Sequence, residues 1–293
     1  MSARPQGLSP PAGPTRLAVR QKPPAPHPAP DSAGVSFPGV IAVTVRDLWE
    51  ACLRLLFPVP CLLCAGPLGA GAAAQVCGPC WASLPRLPEN GCATCGRPLG
   101  GAGGVPDAPG DSPLRCGACQ RRQPPYEVAR AVLPYGDAGP VRALLLALKH
   151  GRRRALAVPL ARLMHAAAAG RLDLTAFDAL VPVPLHWRRR RERGFNQAAA
   201  LAEGLGRAAG RPVLRRGLVR ARPTPPQSGD RVARRRNVRG AFAVRGTPRG
   251  IRAKRLLLID DVFTTGATAE ECARVLRRAG AAAVGVYTLA RVA

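Results

Sequence analysis

Nowhere in the 293 residues do the roughly 18 consecutive apolar side chains of a membrane span occur. Arg4, Arg16 and Arg20 are followed by proline-broken stretches where a secretory signal would carry its apolar region. Both absences predict a cytoplasmic protein with no membrane span. Aromatic residues make up only 4% of the chain, which counts against recognition of single-stranded nucleic acid by base stacking alone. Lysine stands only at positions 22, 149 and 254, so the formal charge of +27 is nearly all arginine. An arginine and alanine excess of this kind accompanies a GC-rich genome, and the charge is discounted accordingly. It still predicts attraction to polyanions. Between His186 and Arg255 there are 21 Lys or Arg against Glu192, Glu203 and Asp230, so one half carries most of it. Neither G-x-x-x-x-G-K-[ST] nor G-x-G-x-x-G is present, which excludes a P-loop and a dinucleotide fingerprint. His150, His165 and His186 have no metal-ligand spacing, and His150 beside Lys149 is the one with a claim to chemistry.

Cysteine is abundant, but only in one place. Nine of the ten lie between Cys52 and Cys119, and eight of these form C-x-x-C units at Cys61/Cys64, Cys77/Cys80, Cys92/Cys95 and Cys116/Cys119. A tetrahedral Zn²⁺ needs four soft ligands and two such knuckles supply them, so the four knuckles predict two structural zincs. Sequential and interleaved pairings are both open from spacing. A disulfide framework is disfavoured, since the expected compartment is reducing. Metal binding would supply much of the folding energy of so proline- and glycine-rich a segment. Cys52, within the amphipathic 46–57, and Cys272 are expected in the core.

Residues 1–43 are Pro/Ala/Gly-rich without periodicity and are expected to be a disordered tail. An amphipathic helix and double zinc ribbon should fill 44–122, and an α/β domain 123–293. In that domain strand-like and helix-like stretches alternate: strands at 126–135 and 177–184, and helices at 139–151, 155–170 and about 196–209. Alternation implies a mainly parallel sheet flanked by helices. A basic loop is expected over 184–197 and a long irregular loop or lid over 221–240.

The stretch 256–271, LLLIDDVFTTGATAEE, reads as a buried strand over Leu256–Ile259, then a loop and a helix. Asp260 and Asp261 are placed at the carboxyl end of that strand, where open α/β sheets bind ligands. The small glycine-containing loop behind them can turn successive N–H groups into an anion concavity at a helix N-terminus. Two carboxylates accept from a vicinal diol or hold Mg²⁺, and the threonine hydroxyls suit a monoester phosphate. Diol and phosphate together describe a ribose 5-phosphate. The structural alternative makes Thr268 a helix N-cap, with Glu270 and Glu271 favouring the first turn.

LLLIDDVFTTGAT resembles the PRPP-binding signature of type I phosphoribosyltransferases. From about residue 47 onward the chain resembles the ComF/GntX family of competence-associated proteins. The likeness runs through LFPVPCLLC, the cysteine pairs, LKHG, VPVPLHWRRRRERGFNQAAALAEGL and RPTPPQSGDRVARRRNVRGAF. It implies a type I phosphoribosyltransferase-like fold preceded by a small double zinc ribbon. It also implies that Asp260 and Asp261 hold the ribose hydroxyls, and that Thr264, Thr265, Gly266, Ala267 and Thr268 bind the 5-phosphate. Arg193 and Gly194 would meet pyrophosphate bridged by Mg²⁺, with 221–240 as a flap. The catalytic set so implied is Asp260, Asp261 and Arg193. Phe263 and His150 depart from the family pattern, in which another apolar residue and a tyrosine are common. The expected function is phosphoribosyl transfer from PRPP to an unidentified acceptor, linked by resemblance to DNA uptake. The alternative is a non-catalytic zinc-ribbon module that binds single-stranded DNA or a competence helicase.

Overall fold

The computed structural model describes residues 59–69, 71–99, 114–150, 153–222, 231–245 and 248–292. The expected tail over 1–43, the amphipathic 46–57 with Cys52, and part of the expected flap lie outside these residues. Two five-residue helices, α1 (Gly78–Ala82) and α2 (Gly117–Arg121), each follow the first cysteine of a C-x-x-C unit. Beyond them come β1 (Val128–Tyr135), α3 (Pro140–His150), α4 (Ala157–Ala168), β2 (Ala179–Pro182), α5 (Trp187–Arg193) and α6 (Gln197–Ala209). The chain continues through β3 (Leu218–Arg220), α7 (Arg231–Val238), β4 (Phe242–Val244), β5 (Arg255–Phe263), α8 (Ala267–Arg278) and β6 (Ala283–Val292).

Four strands form one parallel sheet in the order β1-β6-β5-β2, and β3 pairs with β4 antiparallel. The apolar run of β5 is long because both faces are covered. Leu257 and Ile259 join the core containing Leu160, Leu201 and Leu205 of α4 and α6, while Leu256 and Leu258 join the core containing Cys272 and Leu276 of α8. All four strand side chains are fully buried, each contributing roughly 1.5–3 kcal/mol relative to exposure. Cys272 is fully buried, in keeping with its expected place in the core.

Several expectations need correction. The strand does not end at Ile259: β6, unrecognised in the sequence, extends past it, and the ladder carries β5 through Asp260↔Thr288 to Phe263↔Arg291. The basic stretch over 184–197 is not a plain loop. His186 Nδ1 accepts from the Arg188 N–H at 3.4 Å and Gly194 closes the turn with φ 78°, so the arginines between them wind into α5. The expected irregular segment contains α7, anchored by a fork from Arg235 to Glu270, with Nε 3.1 Å from Oε2 and Nη2 2.8 Å from Oε1. The alternative in which Thr268 caps α8 does not hold either, since Gly266 is the cap, at φ 82°.

Candidate functional site

The parallel pairing of β2 with β5 sets Pro182 beside Ile259, so the loops after these two strands emerge side by side. Asn196 fixes the far end of the first loop: its side chain donates to the Val183 carbonyl and accepts from the Ala198 N–H, both at 3.0 Å, capping α6. Between the two loops lies a cavity of about 540 Å³. It brings together Asp260, Asp261, Thr264, Gly266, Thr268 and Arg193. Three of the residues named from sequence do not line it. Gly194 borders a neighbouring cleft with Trp187, Thr265 a small cavity beside Cys95, and Ala267 a groove along α7 and α8.

Sequence reasoning missed several lining groups, among them Lys149, Gln197, Arg220 and Thr288. Lys149, in the last turn of α3, places Nζ 2.9 Å from Asp261 Oδ2. The Asp261 N–H donates to Asp260 Oδ1 at 2.9 Å. Burial and the neighbouring Asp261 charge push the Asp260 carboxyl up to about 8, against the opposing pull of that N–H and of Lys149. Arg193 is partly buried, and desolvation lowers its pKa while Asp261 draws it back up. Its Nη1 donates to Gln197 Oε1 at 3.3 Å. Arginine can only donate, so this bond fixes the amide orientation and leaves Gln197 Nε2, in a residue 1% exposed, a buried donor without a partner among the described residues. A buried unsatisfied donor is costly unless a ligand acceptor meets it. The site can therefore offer paired carboxylates, threonine hydroxyls, a glycine-turned helix N-terminus and flanking cations to one polyoxygenated anion.

Two further centres lie in the cysteine-rich segment. The sulfurs of Cys61, Cys64, Cys77 and Cys80 fall within 4.8 Å of one another, as do those of Cys92, Cys95, Cys116 and Cys119, so the grouping is sequential. Cys64–Cys77 and Cys95–Cys116 sulfur separations of 3.8 and 3.7 Å match the ~3.8 Å edge of a tetrahedron with ~2.3 Å zinc–sulfur bonds. The tetrads repeat one hydrogen-bond scheme. Cys61 Sγ accepts from the Leu63 and Cys77 N–H groups, both at 3.4 Å; Cys92 Sγ accepts from those of Cys95 at 3.5 Å and Cys116 at 3.2 Å. Burial alone would raise these thiols, but the N–H donors bring Cys61 and Cys92 down to about 6. Their partners move the other way, Cys80 up to about 12 through its hydrogen bond with Cys77 and burial, and Cys95 and Cys119 up through burial, so the match to structural zinc rests on ligand type and geometry.

Comparison with known proteins agrees with the reading of the cysteine-rich segment. Residues 52–120 match a double zinc ribbon domain. The chain is 34% identical over 243 residues to the DNA utilization protein YhgH of Escherichia coli K12, covering 81% of this chain and 99% of that protein. Competence protein F of Haemophilus influenzae is 32% identical over 180 residues, 60% of this chain and 78% of that one. Among solved structures, glutamine phosphoribosylpyrophosphate amidotransferase from B. subtilis, complexed with ADP and GMP, matches 46% of this chain and 27% of its own, with 21% identity and a TM-score of 0.33. Among the described residues no helix is long and apolar enough to cross a membrane.

Proposed function

The chain belongs to the ComF family of competence-related proteins, and from that premise we propose that its α/β domain binds the ribose 5-phosphate portion of PRPP and transfers it to an acceptor. One observation carries the reading: Asp260 and Asp261 share a single cavity with Thr264, Gly266, Thr268 and Arg193. In this assignment the aspartates accept from the ribose hydroxyls. Thr264, Thr268 and the Gly266 N–H hold the 5-phosphate, and Arg193 meets the pyrophosphate; Gly194, whose N–H closes α5 on the Arg190 carbonyl, sets the direction of the basic segment rather than touching the ligand. The acceptor's lone pair forms the new bond at C1 while the C1–oxygen bond breaks and its electron pair leaves with pyrophosphate. Asp260 and Asp261 are also the residues that would hold Mg²⁺, which when bound neutralises charge on the departing group. Arg193 adds fixed positive charge where that anion develops, and the remaining catalysis is positioning. We assign the ribbon to 44–122, the transferase-like domain to 123–293 and the protein to the cytoplasm, where thiols stay reduced for zinc.

Calorimetry of Mg²⁺-PRPP on zinc-replete protein tests this beside an Asp260→Asn/Asp261→Asn variant shown to fold. Binding by the wild type that the variant loses is the expected result; no wild-type binding sinks the reading.

A second reading, a single-stranded DNA-binding module, draws on Trp187. This side chain is 56% exposed, with the guanidinium carbons of Arg188 and Arg191 5.3 and 5.8 Å from its ring centroid. An exposed ring beside two cations suits base stacking next to a phosphate backbone. Oligonucleotide binding should then fall with salt and with Trp187→Ala, and absence of binding at low salt removes this reading.

A further inference from the structure

Arg291 sits near the end of β6, only 4% exposed. Its Nη1 donates to the Cys95 carbonyl, and Nη2 lies 3.9 Å from Cys95 Sγ. Among the described residues no carboxylate forms an ion pair with it. A buried guanidinium without an anion is costly, yet four thiolates around Zn²⁺ leave a net double negative charge. The second tetrad thus supplies what Arg291 lacks in carboxylates. Nothing equivalent serves the first tetrad: no described arginine reaches its sulfurs, and Cys64 is exposed to water.

The other side of the guanidinium points to the ligand loop. Its carbon lies 4.8 Å from the centroid of Phe263, the residue opposite Arg291 in the β5–β6 register. Tyr126 packs edge-on against the same ring, centroids 6.4 Å apart at 82°. Gly266 abuts the far end of the ring, since a Cβ there would come within 2.8 Å of Phe263 Cζ. Thr265 shares one small cavity with Phe263, Arg291, Cys95 and Cys119.

We infer that Arg291 is a positioning residue with two contacts: counter-ion to the zinc centre at Cys92/Cys95/Cys116/Cys119, and brace, through Phe263, of the loop that binds the 5-phosphate. Metal occupancy of the second tetrad then sets the affinity of the ribose-phosphate pocket; this coupling rests on the ribose 5-phosphate reading, whereas the counter-ion role does not. Coupling is reciprocal, so ligand must protect that zinc in return.

The test uses full-length zinc-replete protein, with zinc release to a chromogenic chelator and ribose 5-phosphate binding by calorimetry as separate readouts. Ribose 5-phosphate should slow release of one of the two zincs. Arg291→Met should release that zinc roughly 10–100-fold faster, the usual effect of losing an outer-shell partner, and should also weaken ribose 5-phosphate binding. Phe263→Leu should weaken sugar-phosphate binding while zinc release stays at the wild-type rate, because it cuts the brace and leaves the counter-ion. Should Arg291→Met not fold, Arg291→Lys keeps the charge without the fork and must give intermediate values on both readouts. Wild-type zinc release in the Arg291 variants overturns the counter-ion role. Unchanged sugar-phosphate affinity in them, with faster zinc release, overturns the brace. Absence of ribose 5-phosphate binding in the wild type overturns the coupling together with the functional reading, and zinc release in Arg291→Met still decides the counter-ion role.

Discussion

Lys149 Nζ and Asp261 Oδ2 are 2.9 Å apart, although 112 positions separate the two residues, one closing α3 and the other near the end of β5. Both side chains are mostly buried, so the pair is screened by water far less than a surface ion pair. Lys149 therefore supplies the charge against which two adjacent carboxylates coexist at the pocket floor.

Lys149→Met should weaken Mg²⁺-PRPP binding at neutral pH. Lys149 is one of the influences that lower the Asp260 pKa, and without it that carboxyl holds its proton to higher pH. A loss of affinity at pH 7 is therefore expected, recovered as pH is raised. Calorimetry across pH 6–9 reads it; parallel pH profiles for variant and wild type would contradict it.

Asp260→Asn should change how stability depends on pH. Burial and the Asp261 charge raise the folded-state value to about 8, so the folded protein holds this proton more tightly than the unfolded chain does. That contribution is fully present below about pH 4, the unfolded value, and is lost as pH rises through about 8. The amide keeps the shape and has no proton to lose. Urea midpoints of the variant should therefore gain on the wild type steadily from acid to mildly alkaline pH, and a constant difference would refute the assignment.

Gly266→Ala should abolish sugar-phosphate binding with a modest loss of stability. The cap needs φ 82°, which costs an L-residue about 1–2 kcal/mol, and the added methyl would press on Phe263. Thermal unfolding gives the first number and calorimetry the second. Binding at wild-type affinity would show that the turn does not shape the pocket.

Gly204→Ala tests the packing of α4 against α6. A Cβ at 204 would fall 2.5 Å from the Ala161 Cβ, so overpacking by about 1–3 kcal/mol is expected. Ala161→Gly in the same chain should restore most of it despite its own helix penalty. A double-mutant cycle measures the compensation, and strict additivity would count against direct contact.

The four C-x-x-C units and the run from Leu256 to Thr268 were legible without coordinates because their chemistry is contiguous. Two thiols two residues apart make half a zinc site wherever the chain puts them, and an acidic pair before a threonine-glycine loop carries its meaning in its own backbone. The amphipathic periodicity of α3, α4 and α6 was equally local. Local signals failed where neighbours decide. The strand after Ala283 was passed over, though it runs ten residues and is buried almost throughout, and the basic run at 188–193 hid a helix that His186 and Gly194 close from either end.

The inventory was therefore local: eight zinc-type ligands, an acidic pair before a threonine-glycine loop, a basic half and a parallel α/β plan. Tertiary structure alone decided which knuckles come together, that Lys149 answers Asp261, that Gln197 Nε2 is buried without a partner among the described residues, and that Arg291 stands between Cys95 and Phe263. The physical reason is range. Ligand chemistry and helix periodicity act within a few residues, whereas a buried charge finds its partner through sheet order and register, which bring together residues as far apart as Cys95 and Arg291.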